Sequence, residues 1–126
     1  MAKKIINTTN APAPIGPYNQ AVQTGNLLFI SGQVALIPGT NDLAMASIAE
    51  ETHQVMKNLQ AILTEASADF SNVVKTTIFL SDMNLFAQVN EIYGQYFSSD
   101  FPARETVAVK TLPKNVNVEI SMIAAV

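Results

Sequence analysis

The sequence of 126 residues contains no cysteine, one histidine and one arginine. Without cysteine, a disulfide scaffold, thiolate zinc sites and a thiol nucleophile are all excluded. The lone histidine, His53, gives little support to serine–histidine hydrolysis or to a histidine-rich metal site. Neither a G-x-x-x-x-G-K phosphate loop nor a G-x-G-x-x-G nucleotide fingerprint occurs. The groups left for chemistry are the single arginine, Arg104, together with carboxylates, tyrosines, amides, hydroxyls and the backbone.

Charge is also scarce. Charged residues make up 13% of the chain and hydrophobic residues 48%, whereas ordinary soluble domains carry roughly 25% charged residues. The net charge is −3 and the six lysines are scattered, so there is no basic patch that would indicate a nucleic-acid partner. Such a composition fits either a richly packed core or apolar surface that is buried between subunits, and we favour the oligomer.

No run of about 18 apolar residues is present, so we expect no membrane span. The opening MAKKIIN leads into polar residues rather than an apolar segment, and we therefore expect no signal peptide and a cytoplasmic location. The length is that of one domain over residues 1–126.

Residue patterns predict an α+β domain in which strands and helices alternate. The predicted strands cover residues 3–6, 20–23, 27–31, 72–80, 104–111 and 116–125. The predicted helices run from a cap at Ser47 to about Ala66, and over residues 84–97 after a cap at Ser81 or Asp82. Helices that follow strands favour one sheet with both helices on a single face. A turn at Pro113 would make the last two strands a hairpin.

Arg104 is the first candidate for a functional residue. Its planar guanidinium can bind a carboxylate through two hydrogen bonds, which lysine cannot do, although a surface ion pair is the alternative. Strand alternation places Thr106 on the same face as Arg104 and turns Glu105 the other way. In the expected hairpin, Glu119 lies four or five residues along from Arg104, roughly 13–17 Å. A small ligand would then contact both only through long side chains and a water, or across a subunit boundary, which we favour.

Other polar residues occupy positions where a functional and a structural interpretation compete. Asn90 falls on the apolar stripe of the second helix, where a buried structural hydrogen bond is the alternative to a ligand contact. Glu119 lies on the polar face of the last strand, which is often simply solvated. Tyr18 ends a proline-rich loop, and the structural alternative to a functional role is that its ring anchors this loop. Gly32 interrupts an apolar run and indicates a bulge or a close backbone approach.

Six segments carry a resemblance to a known family. They are APAPIGPY (11–18), ISGQ (30–33), VKTTIF (74–79), FPAR (101–104), LPK (112–114) and VEI (118–120). In this order, over essentially the whole chain, they resemble the Rid (YjgF) family in its RidA branch of reactive intermediate deaminases.

The resemblance implies a chorismate-mutase-like fold and a homotrimer with a central barrel and ligand clefts between subunits. It implies hydrolysis of 2-imino acids and their enamine tautomers, which form from threonine and serine, to 2-keto acids and ammonia. It implies that no cofactor or metal is needed. Two rival functions stay open, namely a non-catalytic 2-keto-acid-binding regulatory trimer and an endoribonuclease or translation inhibitor.

Residue by residue, the resemblance makes Arg104 the clamp for the substrate carboxylate and Glu119 the group that positions or activates water. The positions expected to line the cleft are Tyr18, Ser31, Gly32, Asn90 and Thr106. Thr106 stands where several family members have cysteine, and its hydroxyl cannot supply a thiol. Glu105 stands where members usually have a small residue, and it would compete for Arg104 if it turned inward.

Overall fold

Two helices lie on one face of a six-stranded mixed sheet in the computed structural model, which describes residues 2–126. The strands are β1 (Lys4–Ile6), β2 (Ala21–Thr24), β3 (Leu27–Gln33), β4 (Val73–Leu80), β5 (Ala103–Ala108) and β6 (Val118–Ala125). The helices are α1 (Ile48–Glu65) and α2 (Phe86–Gly94). The predicted α+β class and the one-sided placement of the helices are confirmed.

Alternation along the central strands explains this arrangement. Every second residue of β6 is buried, from Val118 to Ala124, and these residues form one core with the buried stripe of α1, which includes Val55 and Leu59. The residues between them face the other side of the sheet, called the open face below. A sheet with one apolar face against helices needs this period of two.

The strand order is β1-β2-β3-β6-β4-β5. The predicted hairpin of the last two strands is wrong, because β5 pairs with β4 in parallel at the sheet edge and β6 pairs antiparallel with both β3 and β4. Parallel neighbours need a crossover connection, which α2 supplies between β4 and β5. That crossover carries β5 to the edge and leaves the central place to β6.

Element boundaries differ at the polar ends. The predicted second helix is shorter, because residues Met83–Leu85 form a 3-10 turn and α2 ends at Gly94. Asp82 caps that turn by accepting a hydrogen bond from the Asn84 amide at 2.8 Å. The last two strands are also shorter than predicted, since the chain turns at Pro113–Asn115. Within residues 2–126, no helix has the length and apolarity to cross a membrane.

Candidate active site

Arg104 lies near the start of β5 on the helix face of the sheet. Its pairing partner on β4 is Thr76, which is fully buried beneath the helices. The guanidinium donates from Nη1 to Asn90 Oδ1 at 2.8 Å. It also lies over two rings of α2, 5.6 Å from the centroid of Phe86 and 5.1 Å from that of Tyr93. Cation–π contact on two sides holds the arginine side chain against the helix.

No carboxylate within residues 2–126 forms an ion pair with Arg104, so the ion-pair alternative has no support inside one chain. Asn90 is exposed rather than buried, so the alternative of a buried structural amide is wrong. The two side chains face a cavity of about 490 Å³, the arginine pocket, lined by Asn90, Tyr93, Gly94, Phe101, Pro102 and Arg104. With one donor used by Asn90, the other guanidinium donors remain able to bind a carboxylate.

Glu119 occupies the open face of β6, because its neighbours Val118 and Ile120 are fully buried on the helix side. Its carboxyl group lies against Gly32. A Cβ built on Gly32 would stand 2.9 Å from Glu119 Cδ and still closer to Oε2, so a larger residue would force the Glu119 side chain to move. The register of β3 against β6 shifts between Ile30 and Gln33, which confirms both the predicted bulge and the predicted close approach.

The Glu119 carboxyl group is half-buried and forms no hydrogen bond in the described part of the chain. Burial raises its pKa above the usual value, because the charged form loses hydration without gaining a partner. A raised pKa makes a carboxyl group a stronger base, which favours its taking a proton from water.

A second cavity, of about 120 Å³ and called the glutamate pocket, surrounds this carboxyl group. Its lining is mostly apolar and comes from the proline-rich loop, β3 and the last turn: Pro12, Ala13, Ile15, Tyr18, Gln20, Gly32, Gln33, Val34, Leu36, Pro113, Lys114 and Glu119. Tyr18 is half-exposed, and its hydroxyl accepts a long hydrogen bond from the Ile15 amide at 3.5 Å. Tyr18, Gly32 and Glu119 are thus brought together as the sequence predicted.

Two of the predicted residues have different surroundings. Ser31 precedes Gly32 but does not line the glutamate pocket, and its hydroxyl donates to the Asn19 carbonyl at 2.6 Å. Thr106 lies two residues along β5 from Arg104, opposite the buried Ile78. Its hydroxyl oxygen is buried and has no hydrogen-bond partner among residues 2–126, which is costly for a polar atom.

Glu105 lies on the open face, as alternation predicted, and cannot reach around β5 to Arg104. It forms an ion pair with Lys75 at 3.0 Å and accepts a hydrogen bond from the Thr77 hydroxyl at 2.9 Å. The hydrogen bond from Lys75, followed by the one from Thr77, lowers the pKa of this carboxyl group. Within the chain, Glu105 therefore does not compete with a substrate carboxylate for Arg104.

The predicted site is therefore divided within one chain into two separate pockets. Arg104 and Asn90 line the arginine pocket on the helix face, whereas Glu119, Gly32 and Tyr18 line the glutamate pocket. Residues that pair across neighbouring strands point to the same face of a sheet. Arg104 pairs with Thr76, which faces the helices, whereas Glu119 pairs with Phe79, which faces away from them.

Sequence reasoning missed three contributors to these pockets. Tyr93 on α2 supports Arg104 with its ring, while its hydroxyl donates to Thr76 Oγ1 at 3.0 Å. Lys114 lines the glutamate pocket with a left-handed backbone (φ 59°). Gln20 is buried at 1% exposure. The sequence held a signal for Gln20, a polar residue at the start of a predicted strand, and for Lys114, which lies in the LPK segment, whereas the contacts of Tyr93 depend on the tertiary structure.

Comparison with known proteins bears on this arrangement. The sequence profile of a family described as Endoribonuclease L-PSP matches residues 8–126. A structure of a conserved Rid family protein of unknown function, YyfA from Yersinia pestis, superposes with a TM-score of 0.96 at 48% identity, covering 99% of this chain and 100% of that one. The chain belongs to the Rid (YjgF) family. The resemblance inferred from the six segments is confirmed.

Other Rid relatives carry more specific names. The 2-iminobutanoate/2-iminopropanoate deaminase of Mus musculus is 52% identical over 122 residues, which is 97% of this chain and 90% of the mouse protein. The structure of Escherichia coli TdcF with bound serine has a TM-score of 0.93 at 38% identity and covers 98% of each chain. Both matches extend over at least 90% of each chain.

Proposed function

We propose that this Rid family protein is a 2-iminobutanoate/2-iminopropanoate deaminase, a hydrolase that converts reactive imine and enamine intermediates to 2-keto acids and ammonia. The observation that carries the proposal is Arg104, whose guanidinium has no carboxylate partner within residues 2–126 and faces a cavity. A relative that is 52% identical bears the name of this deaminase, and TdcF holds serine, which like the imino acids carries a carboxylate beside a small side chain.

The proposed chemistry is addition of water followed by loss of ammonia. Arg104 fixes the substrate carboxylate, with Asn90 holding the guanidinium in place. Glu119 takes a proton from water as its oxygen attacks the imine carbon, and the proton then passes to the nitrogen. Glu119 then takes the proton of the new hydroxyl group and passes it to the same nitrogen, so that the C–N bond breaks, the carbonyl forms and neutral ammonia leaves. Positioning and proton transfer are sufficient, since the imine is already electrophilic.

Thr106 and Tyr18 have supporting roles in this proposal. The buried Thr106 hydroxyl, which has no partner within the described chain, would bond a substrate held by Arg104. Tyr18 and the backbone at Gly32 would shape the substrate's other end beside Glu119.

The site would be assembled between copies of the chain as a homotrimer. Two observations support this: the pockets of Arg104 and Glu119 open on different faces of the sheet, and the open face exposes large apolar side chains such as Phe29 and Val107, each more than 40% exposed. A barrel of three such sheets would cover that face and bring the arginine pocket of one subunit to the glutamate pocket of the next.

The test of function is accelerated release of 2-ketobutyrate from the product of threonine dehydratase. Arg104→Ala should abolish the acceleration while the oligomer stays intact by light scattering. Arg104→Lys should retain little of the wild-type rate, because an ammonium cannot form the paired hydrogen bonds. An Arg104→Ala variant with normal turnover contradicts the assignment.

The endoribonuclease alternative is favoured by the family description. The acidic net charge of −3 argues against it, and His53 lies on α1, bonded through Nδ1 to the Tyr96 hydroxyl at 2.7 Å and lining neither pocket. Cleavage of RNA that persists through purification and is lost in Arg104→Ala would support it. A regulatory trimer that only binds 2-keto acids is distinguished by binding without turnover.

A further inference from the structure

Gln20 makes an unusually complete set of hydrogen bonds beside the glutamate pocket. Its side chain lies just before β2 and is 1% exposed. The amide nitrogen donates to the carbonyl oxygens of Thr8 at 2.9 Å, Ala11 at 3.3 Å and Pro12 at 2.8 Å. The amide oxygen accepts from the Thr8 backbone N–H at 2.6 Å. One side chain thus binds four backbone groups of a single segment.

That segment begins the proline-rich loop, whose Ala11 is buried in the core and whose prolines leave it few backbone donors. Proline has no N–H to donate, and three prolines between residues 12 and 17 prevent the loop from joining a strand ladder. The carbonyl groups still need donors when they are buried. The Gln20 amide supplies these donors, so the path of the loop depends on it.

The same residue also fixes the opposite wall of the pocket. The Gln20 carbonyl accepts the Ser31 amide at 2.9 Å, one residue before the Gly32 bulge that receives Glu119. The backbone N–H of Gln20 donates to Asn7 Oδ1 at 3.1 Å. Gln20 therefore joins the loop wall, which carries Tyr18, to the strand wall, which carries Gly32, and it lines the pocket itself.

We propose that Gln20 is a positioning residue for the deaminase reaction, which sets the proline-rich loop at the distance from Glu119 that a small substrate requires. The proposal rests on the proposed function. Gln20 acts through the loop and not on the reacting atoms, so its loss weakens substrate binding while the Glu119 carboxyl group and the Arg104 clamp stay in place.

The kinetic test compares Gln20→Leu with Gln23→Leu in the dehydratase-coupled assay at varied imine flux. Gln23, on the adjoining strand β2, is a matched control, since among residues 2–126 its side chain bonds only the Gly25 carbonyl in an exposed turn. We expect Gln20→Leu to raise KM at least tenfold, which is less than the roughly hundredfold loss of activity that a misplacement of about 1 Å can cause. We expect kcat to stay within about threefold of the wild-type value. Gln23→Leu should match the wild type.

Hydrogen exchange supplies the structural readout. The Thr8 amide should lose protection in Gln20→Leu, while amides of β3 and β6 keep theirs. Gln20→Glu retains the acceptor but cannot donate to three carbonyls, so it should raise KM as Gln20→Leu does. It is also the variant to measure if Gln20→Leu does not fold.

The outcomes are separable. A lower kcat with unchanged KM means a loss of folded enzyme only and overturns the positioning role, as does an unchanged KM with an unprotected Thr8 amide. If the wild type itself fails to accelerate ketobutyrate release, the proposed function fails and the role of Gln20 in it fails as well.

Discussion

Arg104 and Glu119 extend from opposite faces of one sheet. Arg104 pairs across the sheet with the buried Thr76 on the helix face, while Glu119 pairs with Phe79 on the open face. A substrate as small as an imino acid cannot contact both side chains through the sheet of a single chain. The relationship therefore makes any joint action of the two residues a property of the assembly.

Mixing two inactive variants tests this sharing of the site. Arg104→Ala and Glu119→Ala subunits, unfolded together in equal amounts and refolded, should regain activity, because a mixed trimer pairs an intact Arg104 with an intact Glu119 at one of its three sites. Since about three-quarters of random trimers are mixed, about a quarter of the wild-type rate is expected. The measurement is ketobutyrate release before and after mixing. If the mixture stays inactive although subunit exchange is demonstrated, either both residues act in the site of one chain or one of them is not needed for catalysis.

Gly32→Ala should displace the Glu119 carboxyl group, because the added Cβ would overlap it. We expect a loss of stability of about 1–3 kcal/mol from overpacking and a loss of most activity. Urea unfolding and the coupled assay measure the two effects. In the Glu119→Ala background the alanine at position 32 has room, so its stability cost should largely vanish. A cost that is the same in both backgrounds would mean that Gly32 is required for backbone conformation alone.

Glu119→Gln should stabilise the fold near neutral pH while it removes activity. Burial raises the pKa of the Glu119 carboxyl group above 4.5, so its stabilising contribution is present below about pH 4.5 and is lost as the pH rises through the folded-state pKa. The gain in Tm should therefore be present near pH 7 and disappear near pH 4. Wild-type activity should fall on the acid side, as the base becomes protonated.

Glu105→Gln is the matched control for this effect, with the opposite sign. Hydrogen bonds from Lys75 and Thr77 lower the pKa of Glu105, so its ionised form is favoured in the fold and its neutralisation should not raise Tm near pH 7. Turnover should stay close to the wild-type rate, because Glu105 faces away from Arg104. An equal stabilisation in both variants would indicate a general charge effect rather than burial of Glu119.

Thr106→Val should separate stability from binding. The two side chains have nearly the same shape, and valine removes a buried hydroxyl that lacks a partner within the described chain. We expect a gain of about 1 kcal/mol in the free energy of unfolding together with a higher KM for the imine. Thr106→Ser, which keeps the hydroxyl, should retain the wild-type KM. A valine variant with unchanged KM would show that this hydroxyl does not contact substrate.

Local chemistry was sufficient for much of the fold. The β-branched run at 72–80 and the apolar stripe of α1 predicted two central elements within a residue or two at each end, because period and propensity act within one segment. Gly32 was also interpretable locally, since a glycine inside an apolar strand has few other reasons to be there. The single arginine and its FPAR setting directed attention to Arg104 before any contact was known.

Strand neighbours could not be obtained in the same way. Proximity in sequence suggested a hairpin between the last two strands, but β6, which buries every second residue, takes the centre of the sheet, and β5, which is mostly exposed, lies at the edge. That single choice moved Glu119 from a position along the next strand to a separate pocket. Contacts such as Arg104 with Tyr93, or Gln20 with the Pro12 carbonyl, join residues far apart in the chain. The sequence by itself determined which residues carry chemistry, because charge and donor geometry belong to side chains, whereas only the tertiary structure decided which of them face one another, because strand pairing and packing are settled by the burial of the whole chain.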